Sequence, residues 1–200
     1  MSSEADRIIG LYQRHARVWA DNRSVEAAEA PWLDRFLELL PNPASILDIG
    51  CGAAEPIARH FLLRGHTVTG VDSSAPLIEI ARQRYPASRW LVSDMRALAL
   101  GETFDGLIAW DSFFHLTPEH QRLMFPLFRA HAAPKAALMF TSGPAYGEAI
   151  GTFEGEPLYH ASLDPAEYRT LLAANGFDVV AQVVEDPDCG GHTIWLAQAR

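Results

Sequence analysis

The chain has 200 residues, of which 48% are hydrophobic and 20% charged, a balance typical of one globular domain. It carries 16 basic and 25 acidic residues with no basic cluster, and this net charge of −9 disfavours nucleic acid as the main partner. The two cysteines, Cys51 and Cys189, lack the spacing of a metal site or a disulfide framework. No apolar run reaches the roughly 20 residues of a membrane span, and the MSSEADR start has no secretion-signal pattern. We therefore expect a cytoplasmic domain with no metal and no membrane segment.

The first part of the chain is predicted to form two amphipathic helices. Apolar and aromatic residues fall on one helical face at Ile8, Tyr12, His15, Ala16 and Trp19, and again at Trp32, Phe36, Leu39 and Leu40. Pro41 is expected to close the second helix. Residues 1–41 thus form a helical segment that precedes a core of residues 42–200.

From Ser45 onward, short apolar runs alternate with helical ones. The predicted strands are 45–49, 67–71, 89–93, 104–110, 136–142, 178–184 and 192–199, and the predicted helices begin near Pro56, Ala75, Pro118 and Pro165. Asp164 and Glu167 are spaced as a capping box for the last helix. Alternating strands and helices predict a doubly wound α/β fold, a mostly parallel seven-stranded sheet with helices on both faces. The last two strands are joined too briefly for a crossover, so they should form an antiparallel hairpin. Residues 143–163 show no clear element.

The segment ILDIGCGAAEP ends the first strand in two glycines, Gly50 and Gly52. Ligands of such sheets bind at the carboxyl ends of the strands, where glycines let the backbone approach a ligand closely. A tight turn without a ligand is the alternative interpretation. Asp72 lies 20 residues after Gly52, where a carboxylate can accept both hydroxyls of a ribose. Asp94 and Met95 end the next strand and suit an adenine, unless Asp94 caps a short helix and Met95 fills the core.

The residue pattern favours a cationic adenosine ligand over a dinucleotide. A dinucleotide site needs a third glycine at the position where this chain has Glu55, and a carboxylate there would repel phosphate. S-adenosylmethionine carries no phosphate but has a sulfonium and an ammonium group, which Asp48 and Glu55 would favour.

The segments ILDIGCGAAEP, VTGVDSSAPLIEIAR, VSDM and FDGLIAWDSFFHL together resemble the successive cofactor motifs of class I S-adenosylmethionine-dependent methyltransferases of the small-molecule type. The resemblance implies a Rossmann-like fold and S-adenosylmethionine as cofactor, with S-adenosylhomocysteine as product. It departs from the family at Ala54, where a third glycine is common. The resemblance also implies a lid formed by the N-terminal helix, in which Tyr12 and Trp19 cover the cofactor and His15 and Arg23 lie near the mouth. Plain core packing of Tyr12 and Trp19 is the alternative interpretation. The implied cofactor-binding residues are Asp48, Gly50, Cys51, Gly52, Asp72, Ser73, Asp94, Met95, Trp110, Asp111, Tyr12 and Trp19.

The expected acceptor is a small molecule with an oxygen or nitrogen nucleophile. The chain lacks the Asn-Pro-Pro-Tyr sequence of family members that methylate planar amines, so those substrates are disfavoured. His115 is the candidate general base, because a neutral imidazole can accept a proton near pH 7; a purely structural, hydrogen-bonded histidine is the alternative. The predicted substrate-binding residues are Phe114, Tyr146, Tyr159, His160 and His192. Two other functions stay open, an NAD(P)-dependent oxidoreductase and a non-catalytic cofactor-binding protein, and the sequence does not indicate an oligomeric state.

Overall fold

The computed structural model describes residues 4–23 and 28–200. The helices are α1 (Glu4–Arg14), α2 (Ala16–Asn22), α3 (Ala30–Leu37), α4 (Ile57–Leu63), α5 (Ala75–Arg84), α6 (Pro118–His131) and α7 (Pro165–Ala174). The strands are β1 (Ser45–Ile49), β2 (Thr67–Asp72), β3 (Arg89–Val92), β4 (Phe104–Ala109), β5 (Ala132–Ser142), β6 (Gly147–Phe153), β7 (Glu156–Ser162), β8 (Phe177–Asp186) and β9 (His192–Ala199). Among the described residues, no helix is long and apolar enough to cross a membrane.

The main sheet has seven strands in the order β3-β2-β1-β4-β5-β9-β8. Strands β1 to β5 pair in parallel, and β9 runs antiparallel to both β5 and β8. The predicted doubly wound, mostly parallel sheet with a C-terminal antiparallel hairpin is therefore confirmed. The strand order reverses between β1 and β4, which places the end of β1 at the ligand-binding edge of such sheets.

Alternate residues of the sheet strands enter two separate hydrophobic cores. On β1, Leu47 and Ile49 join the core that α6 and α7 cover, while Ile46 joins the core that α3, α4 and α5 cover. This alternation follows from the two-residue period of a strand. Both faces of the sheet are buried, which explains why its central strands read as continuous apolar runs.

The predicted first helix is interrupted at His15, which gives the separate helices α1 and α2. The apolar stripe of the predicted helix packs against two different parts of the structure. Ile8 and Leu11 pack against β7, and Ala16 and Ala20 pack against Ala53 and Leu77 at the sheet edge. Both are ordinary core contacts. The second predicted helix is α3, which ends at Leu37, before the expected stop at Pro41. Residues 1–3 and 24–27 of the predicted 1–41 segment lie outside the described residues.

The expectation of an irregular segment at 143–163 was wrong. Strands β6 and β7 form a separate antiparallel hairpin there, with Gly147 opposite Ser162 and Phe153 opposite Glu156. Its turn, Glu154–Gly155, has positive φ angles of 50° and 77°, as a tight hairpin turn requires. Glycines at every fourth position hide the alternation that identifies a strand, because glycine has no side chain to mark either face.

The capping box predicted for α7 forms only in part. Asp164 accepts a hydrogen bond of 2.7 Å from the backbone N–H of Ala166 and caps the helix. The side chain of Glu167 does not complete the capping box, because its carboxylate accepts hydrogen bonds from the guanidinium of Arg122 on α6 instead. The helix start was thus predicted correctly, while Glu167 joins two helices.

Candidate cofactor and acceptor site

The glycine turn after β1 leaves no room for side chains. Gly50 and Gly52 have φ angles of 79° and 54°, in the left-handed region that favours glycine. A Cβ atom at Gly50 would lie 2.2 Å from the Cβ of Ser112, closer than any real contact. Ala54 also has a left-handed φ of 69°, so the position where related motifs carry a third glycine keeps the glycine-like backbone here.

Asp72 ties this turn to the end of β2. Its Oδ2 accepts a 2.9 Å hydrogen bond from the N–H of Gly52, and its Oδ1 accepts a 2.7 Å bond from the N–H of Ser74. Burial raises the pKa of the Asp72 carboxyl, and these two backbone hydrogen bonds oppose the rise. A carboxylate has about four lone-pair positions, so the group can still accept hydrogen bonds from a diol.

A cleft opens in front of the turn and encloses about 820 Å³ of empty space, counting the part open to solvent. The predicted site residues that line it are Tyr12, Trp19, Gly50, Gly52, Asp72, Ser73, Asp94, Met95, Asp111 and His115. They come from helices α1 and α2, from the ends of β1, β2, β3 and β4, and from the short helical turn at 113–115. The fold thus brings most of the predicted residues together.

Three predicted cofactor residues, Asp48, Cys51 and Trp110, lie behind the cleft wall. All three are buried. The Nε1 atom of Trp110 and the Oδ2 atom of Asp48 have no hydrogen-bond partner among the described residues. Burial, reinforced by the charge of Asp72, raises the pKa of Asp48 to about 7. A buried carboxylate in need of a partner fits a cationic ligand group such as an ammonium.

Glu55 lies away from the cleft, so its carboxylate does not repel phosphate there as the sequence suggested. Glu55 does not line the cleft, and its Oε1 accepts a 2.8 Å hydrogen bond from the hydroxyl of Tyr85. Repulsion of a diphosphate at this edge therefore rests on Asp72, which lines the cleft beside the glycine turn.

Asp94 takes the capping role that was the alternative to adenine binding. Its Oδ1 accepts a 2.9 Å hydrogen bond from the N–H of Arg96, and both carboxylate oxygens bind the Arg96 guanidinium. These bonds lower the pKa of Asp94, against the opposing effect of burial. Asp94 and Met95 still line the cleft. Asp94 therefore caps the short helical turn and also forms part of the cleft wall.

Aromatic rings from the N-terminal helices and from the β6–β7 hairpin meet beside the glycine turn, where the lid was expected. Tyr12 and Trp19 of the N-terminal helices meet edge to face at 5.3 Å, and Phe153 from the β6–β7 hairpin lies 6.0 Å from each ring. The indole Nε1 of Trp19 would lie 3.2 Å from a Cβ at Gly52. We call this trio of Tyr12, Trp19 and Phe153 the aromatic lid.

An ion-pair cluster joins the same two elements at the surface. Glu156, at the start of β7, accepts hydrogen bonds from the guanidinium of Arg14 and pairs with His15 at 2.7 Å. The hydrogen bond from Arg14, followed by that from His15, lowers the pKa of Glu156 to about 2. The break between α1 and α2 therefore lies at the point where the hairpin attaches.

His115 is buried and holds two hydrogen bonds. Its Nδ1 lies 2.8 Å from the carbonyl oxygen of Tyr159, and its Nε2 lies 2.9 Å from the hydroxyl of Tyr12. Burial lowers the pKa of His115 to about 4, so the ring is neutral at pH 7. His115 thus lines the cleft, as a base must, and is also hydrogen-bonded as the structural alternative required.

Asp111, His192 and Arg23 form a charged network at the end of β4. The Nε2 of His192 lies 2.8 Å from Asp111 Oδ1, its Nδ1 lies 2.6 Å from the carbonyl oxygen of Cys189, and Arg23 donates to Asp111 Oδ2 at 3.0 Å. Both ring nitrogens of His192 face acceptors, and the hydrogen bond to Asp111 raises the pKa of His192 to about 9. Burial alone would raise the pKa of Asp111, but His192 and Arg23 hold it below its usual value. His192 is therefore an imidazolium cation that forms an ion pair with Asp111.

The other predicted substrate residues lie in different places. Phe114 and His160 line a second cavity near residues 142–149, next to His115. Tyr159 is buried against α1 and contributes its backbone carbonyl to His115. Tyr146 is 62% exposed and lines neither cavity, so the structure does not bring it to the site.

Several cleft residues were not predicted from the sequence. They include Ile9, Ser112 and Arg96. Glu156, in the ion-pair cluster at the surface, was not predicted either. Ile9 and Ser112 adjoin predicted residues, so their neighbours were a usable signal. Arg14 and Glu156 are 142 positions apart, and no local pattern indicates such a pair.

The comparisons with known proteins agree with this geometry. A family model for the methyltransferase domain matches residues 46–135. Malonyl-acyl-carrier-protein O-methyltransferase of Salmonella typhimurium is 33% identical over 108 residues, which cover 52% of this chain and 41% of that protein. Trans-aconitate 2-methyltransferase of Paracidovorax citrulli is 30% identical over 162 residues, which cover 75% of this chain and 60% of that protein. The chain thus spans less than two thirds of the length of these curated relatives.

Solved structures show the same fold. An amino pentose methyltransferase from Micromonospora echinaspora, solved with S-adenosylmethionine bound, superposes with a TM-score of 0.72 at 20% identity, covering 94% of this chain and 96% of that one. The family match over residues 46–135 and the shared fold agree with the class I S-adenosylmethionine-dependent methyltransferase motifs that the sequence resembles.

Proposed function

We propose that the protein transfers a methyl group from S-adenosylmethionine to an oxygen or nitrogen nucleophile of a small molecule. The observation that carries this proposal is the cleft in front of Gly50 and Gly52, where Asp72 lines a backbone free of side chains and the unpartnered Asp48 oxygen lies buried behind it. A cationic adenosine ligand suits these acids, whereas a diphosphate would be repelled by them. The relatives, named as methyltransferases, support the same class of reaction.

Each wall of the cleft would hold one part of the cofactor. Asp72 would accept hydrogen bonds from the ribose, Ser73 would lie beside it, and Met95 would pack on the adenine with Asp94 at its edge. Asp48 and the Gly50–Gly52 turn would adjoin the methionine portion. When bound, the cofactor supplies a methyl carbon already activated by its sulfonium.

The remaining contribution of the chain is alignment and exclusion of water. The aromatic lid lies over the glycine turn, so Tyr12 and Trp19 would cover the bound cofactor and keep the transfer region dry. Trp110 and Asp111 would border the sulfonium end, with Asp111 fixed by Arg23 and His192. His115 would stand at the same place as the candidate proton acceptor.

The acceptor would enter between the lid and the end of β5. Phe114 and His160 line the second cavity there, and His192 adjoins Trp110. We propose one methyltransferase domain with residues 1–41 as its lid and residues 42–200 as its core. The partner would be a small molecule rather than nucleic acid, and the location cytoplasmic, as the charge and cysteine content of the sequence indicate.

The test is a methyl-transfer assay that measures release of S-adenosylhomocysteine over a panel of small acceptors, combined with mass spectrometry of ligand that co-purifies with the protein. We expect S-adenosylmethionine or S-adenosylhomocysteine in the purified protein and turnover of at least one hydroxyl or amine acceptor. A co-purified nicotinamide dinucleotide would overturn the proposal. Tight cofactor binding with no turnover of any acceptor would instead support a non-catalytic cofactor-binding protein.

A further inference from the structure

The hydrogen bonds of His115 fix the direction of the bond from Tyr12. A backbone carbonyl only accepts hydrogen bonds, so the contact of Nδ1 with the Tyr159 oxygen requires the proton on Nδ1. Because the ring is neutral, its Nε2 then carries a lone pair and accepts the hydroxyl hydrogen of Tyr12. Tyr12 is thus a donor toward His115, and its own lone pairs are left for a different partner.

The Tyr12 hydroxyl stands where an acceptor group would need it. Tyr12 and His115 both line the cleft, together with Gly50 and Asp111. The Tyr12 ring is held by Trp19 on one side and by Phe153, which stacks on it at 27°, on another. Burial and the charge of Asp111 raise the pKa of Tyr12, so its phenol keeps its proton at neutral pH.

We propose that Tyr12 and His115 act as a pair that receives a hydrogen from the nucleophile, and that the acceptor is therefore a hydroxyl or a neutral amine rather than a carboxylate. This deepens the proposed function and rests on it. A hydroxyl or an amine offers a hydrogen to the lone pairs of Tyr12 Oη, whereas a carboxylate would bring only lone pairs against them.

The charges around the cleft favour the same class of acceptor. Arg23 and His192 both donate to Asp111, and Arg96 donates to Asp94. A carboxylate acceptor would need a cation, and these cations of the described cleft region already bind carboxylates. Its entry would add a negative charge beside Asp111 and would be opposed at short range.

The proton path balances in one concerted step for a hydroxyl. The acceptor oxygen forms a bond to the methyl carbon while the carbon–sulfur bond breaks, with its electron pair left on sulfur. The hydroxyl proton passes to Tyr12 Oη, and the proton of Tyr12 passes to Nε2 of His115, which becomes an imidazolium. Burial, which lowers the pKa of His115 to about 4, then drives that proton to solvent. For a neutral amine, the same pair receives a proton after transfer.

The direction of the hydrogen bond is tested without any acceptor. Nitrogen-15 NMR of histidine-labelled protein with S-adenosylhomocysteine bound should show His115 as a neutral ring protonated at Nδ1 from pH 5.5 to 8. Tyr12→Phe should move the Nε2 signal and leave Nδ1 protonated, while Tyr85→Phe, which alters a tyrosine outside the cleft, should change neither. An Nε2-protonated tautomer in the parent protein would overturn the proposal.

The acceptor class is tested with matched probes. The panel pairs benzoate with phenol and aniline, and a sugar uronate with its neutral sugar and amino sugar. We expect S-adenosylhomocysteine release from hydroxyl or amine members, and Tyr12→Phe and His115→Gln should each lower turnover roughly 10²–10⁴-fold. Their S-adenosylhomocysteine affinity should stay within about threefold, a difference of roughly 0.6 kcal/mol. His115→Gln is informative because an amide oxygen can still accept the Tyr12 hydrogen bond but cannot take up the proton.

The outcomes separate this inference from the proposed function. Turnover of a carboxylate member, or parental turnover in Tyr12→Phe, would overturn the pair while leaving the methyltransferase function in place. Failure of the parent protein to bind S-adenosylhomocysteine would overturn the proposed function itself. The NMR result decides the direction of the Tyr12–His115 bond whichever acceptors react.

Discussion

The two sides of the cleft are built in different ways. On the sheet side, the carboxylate of Asp72 accepts hydrogen bonds from the backbone N–H groups of Gly52 and Ser74. These residues follow β1 and β2, which pair in parallel. On the lid side, α1, α2 and the β6–β7 hairpin meet through aromatic rings, exposed ion pairs and one small buried cluster that joins α1 to β7. Backbone hydrogen bonds between buried strands leave little freedom, whereas ring contacts at a surface can separate and re-form. We therefore expect a rigid ligand edge on the sheet side and a cover on the lid side that depends on fewer buried contacts.

Asp72→Ala breaks the sheet side and should have the largest effect. It removes two expected hydrogen bonds from the ribose to a charged group, each of roughly 1.5–3 kcal/mol, so S-adenosylhomocysteine affinity should fall roughly 10²–10⁴-fold. It also releases the N–H groups of Gly52 and Ser74, which loosens the turn. Isothermal titration measures the affinity, and circular dichroism checks that the variant is folded. Parental affinity in a folded variant would contradict the placement of the ribose at Asp72.

Asp48→Asn sharpens the account of the buried charge on the sheet side. The folded-state pKa of Asp48 is raised to about 7 from an ordinary value of 3.8, so the folded protein binds a proton more readily than the unfolded chain. Stability from this group is therefore lost as pH rises from about 4 to about 7. The variant has no titrating group at this position. The free energy of unfolding of the variant minus that of the parent should therefore be larger at pH 8 than at pH 5, by on the order of a few kcal/mol.

Urea unfolding of both proteins at pH 5 and pH 8 measures this difference without cofactor. Any constant cost of placing an amide at position 48 cancels between the two pH values. An equal stability difference at both pH values would mean that Asp48 is ionised throughout, and that the cleft already stabilises its charge.

Phe153→Ala removes the aromatic ring that the β6–β7 hairpin contributes to the aromatic lid. The ring contacts both Tyr12 and Trp19, and each aromatic pair contributes about 0.5–1.5 kcal/mol beyond its buried area. We expect S-adenosylhomocysteine affinity to fall about tenfold and turnover to fall further. Ile150→Ala is the matched control, since Ile150 lies on the same hairpin and is 56% exposed. If both variants behaved alike, the hairpin tip would have no place in the lid.

Glu156→Gln should have the smallest effect. It weakens the contacts from Arg14 and His15 that attach the hairpin to the N-terminal helices, but exposed ion pairs contribute little and are screened by salt. S-adenosylhomocysteine affinity should fall by roughly fivefold or less at low salt, with no difference near 1 M salt. Glu154→Gln, an exposed change on the same turn, should be neutral. A salt-independent loss would indicate a packing role for Glu156 instead of an ion pair.

Features that depend on a short stretch of sequence could be predicted, whereas features that depend on residues far apart in the chain could not. The sheet strands, Gly50, Gly52 and Asp72 are fixed by apolar periodicity and by turn chemistry within short segments, so they were found. The β6–β7 hairpin was missed because its recurring glycines conceal a period of two.

The contacts on which the proposed chemistry depends join distant parts of the chain. Tyr12 and His115 are 103 positions apart, and Asp111 and His192 are 81 apart. Each residue was a candidate by itself, but no spacing rule pairs residues that only tertiary folding brings together. The pKa of His115 shows the same limit, since an exposed histidine would titrate near 6.5 and burial lowers this one to about 4.

The central claim is that the cleft in front of the glycine turn binds S-adenosylmethionine and not a dinucleotide. Isothermal titration of the purified protein with S-adenosylhomocysteine and, in parallel, with NAD tests it most directly. The account predicts one S-adenosylhomocysteine bound per chain, with binding greatly weakened by Asp72→Ala, and no heat from NAD. Binding of NAD at the same site, or no binding of S-adenosylhomocysteine by folded protein, would contradict it.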